Sequence, residues 1–160
     1  AMTPAAELRP FRASFNVVWH GMSAGRSELQ LEQHSEGQWT YSSRSNARGL
    51  FRMALPGALS QRSTFLIHEN QVMPLHFQAD DGSEGTKRDS DLRFDWKTAR
   101  VTGVAEDVKV DLALEPGIQD ALSIQVSLMQ SLLAGSMKDM KRAAEGVFAV
   151  YLSGLGGGTE

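Results

Sequence analysis

With 160 residues, 41% apolar and 22% charged, the chain has the length and composition of one globular domain with its own core. A net charge of -3 argues against a nucleic-acid binder, whose surface is ordinarily basic. The lack of cysteine excludes disulfides and thiolate metal sites, and no apolar run reaches the ~18 residues that a membrane-crossing helix requires.

The N-terminal residues 1–9 read as an expression remnant and a flexible lead. In Phe11–Trp19 the odd positions are apolar and the even ones mostly polar, the two-residue period of a strand with one buried face. Gly21 and Gly25 bracket a turn. Leu29 and Leu31 alternate with Glu28, Gln30 and Glu32 over Ser27–His34, and Trp39 and Tyr41 continue the alternation after the Ser35–Gly37 connection. These two stretches predict an antiparallel hairpin. Residues 47–60 are apolar without a clean period, and Pro56 stops any regular element, so a partly buried loop is expected.

Alternation resumes from Ser60, turns at Glu69–Gln71 and runs back over Val72–Ala79 with Leu75 and Phe77 on one face. Asp80–Ser83 is a turn signal, followed by strands predicted at Lys87–Trp96, Val101–Glu106 and Val108–Leu114. Pro116-Gly117 then breaks the period. Ile118, Leu122, Val126, Met129 and Leu133 recur at helical spacing, predicting a long amphipathic helix over Ile118–Ala134. The expected fold is mainly β (α+β), a curved antiparallel sheet or open barrel wrapped around that helix. One domain is expected over residues 10–153, with a last strand near Val147–Leu152 and a Gly-rich tail at 154–160.

Four histidines occur without a metal-ligand spacing, and Asp80–Glu84 lacks the register of a calcium loop, so neither a metal nor a cofactor is expected. No nucleophile elbow or dinucleotide loop is present, and the chain reads as a non-enzyme. His68, His76 and Asp81 are the only polar residues that suggest chemistry. The inward aromatic and apolar set is more informative. Phe15, Val17, Trp19, Trp39, Tyr41, Phe94 and Trp96 on strands, with Leu122, Val126 and Met129 on the helix, serve either as packed core or as the lining of an apolar cavity. Periodicity does not distinguish the two.

Several segments are similar to the bacterial domain-of-unknown-function family 3108 (DUF3108). They include Pro10-Phe11-Arg12-Ala13, Val17-Val18-Trp19-His20-Gly21, Gly37-Gln38-Trp39-Thr40-Tyr41 and Pro74-Leu75-His76-Phe77. Phe94-Asp95-Trp96 and Gly117-Ile118-Gln119-Asp120 are the most specific. The resemblance covers roughly residues 10–135, and Lys141–Glu160 departs from the family's return strands. It implies an exported protein of the periplasm or cell envelope, signal removed, with a β-rich fold. The resulting expectation is a protein that binds an apolar small molecule or lipid in the concave face of its sheet. The alternative is a structural or interaction module, including a homodimer, acting through an open sheet edge.

Overall fold

The computed structural model of the chain describes residues 7–134. Eight strands form one antiparallel sheet in chain order: β1 (Phe11–Trp19), β2 (Met22–Ser35), β3 (Gln38–Ala47), β4 (Leu59–His68), β5 (Gln71–Asp80), β6 (Ser90–Asp95), β7 (Arg100–Ala105) and β8 (Val108–Ala113). One helical turn, α1 (Phe51–Ala54), lies between β3 and β4, and one helix, α2 (Ser123–Leu133), follows β8. The predicted strand at 147–152 and the tail at 154–160 lie outside the described residues.

The meander follows from its turns. His20-Gly21, Glu69-Asn70 and Glu106-Asp107 all have positive φ at both positions, the two-residue geometry whose twist matches paired strands. The first turn is therefore tighter than Gly21 and Gly25 suggested. Gly25 is a buried strand residue paired with Val17 and Ala47, and its missing side chain leaves room for the Asn46 carbonyl.

Register sorts one face of the sheet into rows. Trp39, Phe65 and Pro74 are aligned across β3, β4 and β5, and the adjoining row runs Phe11, Leu31, Tyr41, Ser63, Phe77 and Leu92. These rows carry the large core side chains of the central strands, and Leu122, just before α2, and Val126 of α2 are fully buried in the same core. The next row is smaller and more polar, with Ala13, Leu29, Ser43, Gln61, Ala79 and Ser90. Beyond it lie Phe15, Ser27, Ser45 and Leu59, where the two serine hydroxyls bond at 2.7 Å.

A bulge between Thr64 and Phe65 decides the face of β5. It aligns Phe65 with Pro74 and Thr64 with His76, leaving Leu75 as the extra residue. Val72, Pro74 and Phe77 are consequently the buried positions, not the Leu75–Phe77 pair expected from alternation.

Two further expectations are corrected. Among the described residues no long amphipathic helix is wrapped by the sheet: α2 has 11 residues and spans about 16 Å, whereas the 14-residue β2 runs about 46 Å. A helix of that length covers one end of the sheet. Nor is the sheet a barrel. β1 and β8 are not paired with one another, and the eight strands remain open.

Gly103, opposite Leu92 and Val110, sits at φ 139°, and a β-carbon there would collide with the Asp91 carbonyl. Gly103→Ala is expected to lower stability by at least ~2 kcal/mol, combining backbone strain with displacement of β6. An unchanged urea midpoint would refute this account of the β6–β7 crossing.

Candidate functional site

The most distinctive geometry lies where β6 leaves β5. Their pairing spans only His76–Ala79 with Ser90–Arg93, so the Gln71–Leu75 half of β5 has no strand on that side. The Ile67 N–H donates to the Gly37 carbonyl, on the far side from β5. Ile67 and Val72 are thus a non-hydrogen-bonded pair, and the Val72 and Pro74 carbonyls point into the gap. Pro74, with no N–H, loses nothing at such an edge although it is fully buried.

Two side chains replace the missing strand. Trp96 Nε1 donates to the Pro74 carbonyl at 2.8 Å, and Gln119 Nε2 donates to the Val72 carbonyl at 2.7 Å. Asp95 shapes the turn that delivers Trp96: its Oδ1 accepts the Lys97 and Thr98 amides, which holds the carboxyl below the usual carboxylate range. Gly117, at φ 87°, redirects the chain so that Gln119 reaches β5.

Asp120 then starts the helix and anchors it. Its Oδ1 accepts the amides of Leu122 and Ser123 at 2.9 and 2.8 Å, while Ser123 Oγ accepts the Asp120 amide at 2.9 Å. This reciprocal pair of bonds fixes the turn that leads into α2 and explains why the helix begins at Ser123 and not at Ile118. Asp120 Oδ2 accepts a 2.6 Å bond from the buried Ser63 hydroxyl of β4, joining helix to sheet. Desolvation nevertheless pushes the Asp120 carboxyl above its ordinary range, against the lowering effect of those bonds. Tyr41, whose hydroxyl reaches Gln125 at 3.4 Å, is likewise pushed up by burial.

A cleft of about 840 Å³ opens beside this junction, between the gap in β5 and the C-terminal half of α2. Its walls combine Trp39, Ile67, Val72, Met73, Trp96 and Leu133 with the polar Gln71, Gln119, Ser127, Gln130 and Ser131. The Gln119 Oε1 atom is buried in that wall and accepts no hydrogen bond among the described residues.

The expected lining set separates into three groups. Trp39 and Trp96 line the cleft. Tyr41, Phe94, Leu122 and Val126 are buried in the core behind it, and Met129 packs against that core. Phe15, Val17 and Trp19 follow the predicted alternation but are not enclosed, being 53%, 46% and 60% exposed. They lie past the end of the sheet that α2 covers. Sequence reasoning missed Gln119, Ser127 and Gln130 as cleft residues. Gln119 was within reach, since it sits in one of the two segments singled out as most specific.

His68 and His76 do not meet. His68 lies at a hairpin end near Glu69, and His76 bonds Asp91 at 2.7 Å on the opposite face of the sheet from the core. Asp80, Asp81 and Asp89 place carboxylate oxygens within 4.8 Å of one another. Each accepts a bond from loop backbone: Asp80 from Gly82, Asp81 from Ser83, Asp89 from Asp81. The Ser83 hydroxyl and amide hold Asp81 below the usual carboxylate range.

The fold and cleft define a class: an open β meander whose split is closed by side chains and capped by one short helix. The model of the family described as a protein of unknown function (DUF3108) matches residues 14–151, and the chain belongs to that family. The match takes in residues 135–151, beyond the segments on which the resemblance rested. No curated protein and no solved structure matches the chain.

Asp120 gives a signed pH prediction. A carboxyl with a raised pKa binds its proton more tightly folded than unfolded, so its contribution declines as pH rises from the ordinary carboxylate range through the raised value. The urea stability of wild type relative to Asp120→Asn should therefore shift in wild type's favour between pH 7 and pH 4. A constant or opposite difference would remove the desolvation argument. Asp120→Ala should cost about 2–4 kcal/mol at either pH, since it uncaps α2 and strands the Ser63 hydroxyl.

Proposed function

We propose that the protein is a non-enzymatic binder of an amphipathic molecule with an apolar chain, held in the cleft between α2 and the split edge of β5. The observation that carries this is a cleft of about 840 Å³ whose walls mix two tryptophans and aliphatic side chains with several amides and hydroxyls. Ligand sites are commonly concave, largely apolar and furnished with a few convergent polar groups. Trp39 and Val72 are nearly fully buried and provide a firm floor, while Ser127, Gln130 and Ser131 bring hydroxyls and an amide to the rim. Export, which the family resemblance implies, makes the periplasm or cell envelope the proposed compartment.

The binding test is calorimetric titration with a twelve-carbon fatty acid, alongside native mass spectrometry of gently purified protein. Wild type should bind it or carry an equivalent molecule. Ser127→Trp, which adds a large ring to a half-buried position in the cleft, should weaken binding at least tenfold with the urea midpoint preserved. Failure of wild type to bind, together with no copurified apolar molecule, would end this proposal.

A second reading rests on β1, which pairs only with β2 among the described residues and carries no charged side chain from Ala13 to Trp19. Such an edge is a template for strand addition, as in a homodimer. Sedimentation equilibrium should then show a concentration-dependent dimer that Asn16→Pro abolishes; a monomer at all concentrations would exclude it.

A further inference from the structure

Far from the cleft, three chain segments meet at one corner of the sheet. Trp19 pairs with Met22 at the tip of the β1–β2 hairpin. The chain leaving β3 is tied to that hairpin by the Arg48 amide, which donates to the Ala24 carbonyl at 2.8 Å. Gly49 follows in a left-handed conformation beside Ser23, and α1 begins two residues later. Val18, Trp19, Met22, Leu50 and Met53 are all exposed at this corner, Leu50 by 76% and Met53 by 84%. Singly such residues would need no explanation, but a cluster of five, including a tryptophan and two methionines, does.

The charge of the same region is opposite to that of the whole. The protein is net -3, yet no aspartate or glutamate occurs between Gly37 and His68, where Arg44, Arg48, Arg52 and Arg62 fall. Leu8–Ser27 also lacks acids and contains Arg9, Arg12 and Arg26. Arg26 is paired with Glu28 at 3.6 Å, whereas Arg48 and Arg52 are exposed and form no ion pair among the described residues. The acidic turn at Asp80–Ser83 packs on Gly57 and Ala58, which bounds the basic region on its far side.

Shape and charge together select the occupant. The corner is a hairpin tip beside a single helical turn, a projecting surface and not a groove, so it offers no concavity to a peptide. A second copy across a twofold axis would set Arg48 and Arg52 against their own equivalents, which is repulsive. An anionic lipid surface matches both features, because it accepts apolar side chains at the headgroup boundary and attracts flanking arginines. We propose that this corner docks the protein on an anionic membrane surface, with Trp19, Met22, Leu50 and Met53 entering the interface and Arg48 and Arg52 contacting headgroup phosphates.

The test uses the full chain with sedimented vesicles of phosphatidylcholine alone or with phosphatidylglycerol. Binding is expected only with phosphatidylglycerol, with a blue shift in tryptophan emission that Trp19→Phe removes, and with loss at high salt. The exposed double variant Leu50→Ser/Met53→Ser should bind at least tenfold more weakly with an unchanged urea midpoint. Arg48→Gln/Arg52→Gln should lose about 30-fold, the weight of two basic side chains at an anionic surface. Equal binding to both vesicle types, no binding to either, or a dimer abolished by the same variants would each overturn the proposal. Ser127→Trp should leave vesicle binding intact, which separates this surface from the cleft.

Discussion

The structure depends on how the chain resolves the gap beside β5. A strand deep within an eight-stranded sheet has no neighbour on one side before His76, leaving the buried carbonyls of Val72 and Pro74 without ladder partners. An unpaired buried carbonyl costs on the order of 1–3 kcal/mol, so the fold requires substitutes. Trp96 and Gln119 provide them from two separate segments, each entering through its own turn. Proline at position 74 is compatible with this place in the sheet because its nitrogen faces the side from which β6 has departed.

From that junction the remaining core follows. Once Gln119 is fixed to Val72, the next residue, Asp120, is delivered to Ser63 and can cap the helix. Leu122 and Val126 then descend onto Tyr41, Phe65 and Phe77. A buried carboxylate is a costly anchor by itself, yet here it answers two helix amides and one hydroxyl together, which suits it to define orientation more than to add stability. The cleft is a by-product of the same arrangement, since a helix capped at this point and only three turns long cannot fill the space that the diverging strands open.

Much of this was legible from the amino acids. Alternation located every described strand, and for β1 its bounds as well, because the polar–apolar contrast is clear from Phe11 to Val17 and the His20-Gly21 turn ends it. It failed at Leu75, since a bulge on the strand pair changes the phase without any glycine in β5 to announce it. It also read Phe15, Val17 and Trp19 as interior. A two-residue period reports that side chains share a face, not whether anything lies over that face. The apolar recurrence at Ile118 overstated the helix because spacing carries no information about which carboxylate takes the first amides. Of the cleft, only Trp39 and Trp96 were foreseen; its polar rim is composed of residue types that occur on any helix surface.

Because strand order equals chain order, every ladder closes over a local connection, a short turn in most cases and residues 48–58 and 81–89 in the two longest, and the entropy lost in doing so is small. The bonds from Ser63 to Asp120 and from Tyr41 to Gln125 are of another kind, spanning 57 and 84 residues. Their ends are brought together by the intervening hairpins. The contacts therefore divide into two kinds: a zipper of neighbouring strands, and one distant latch that gives the sheet a covered inside.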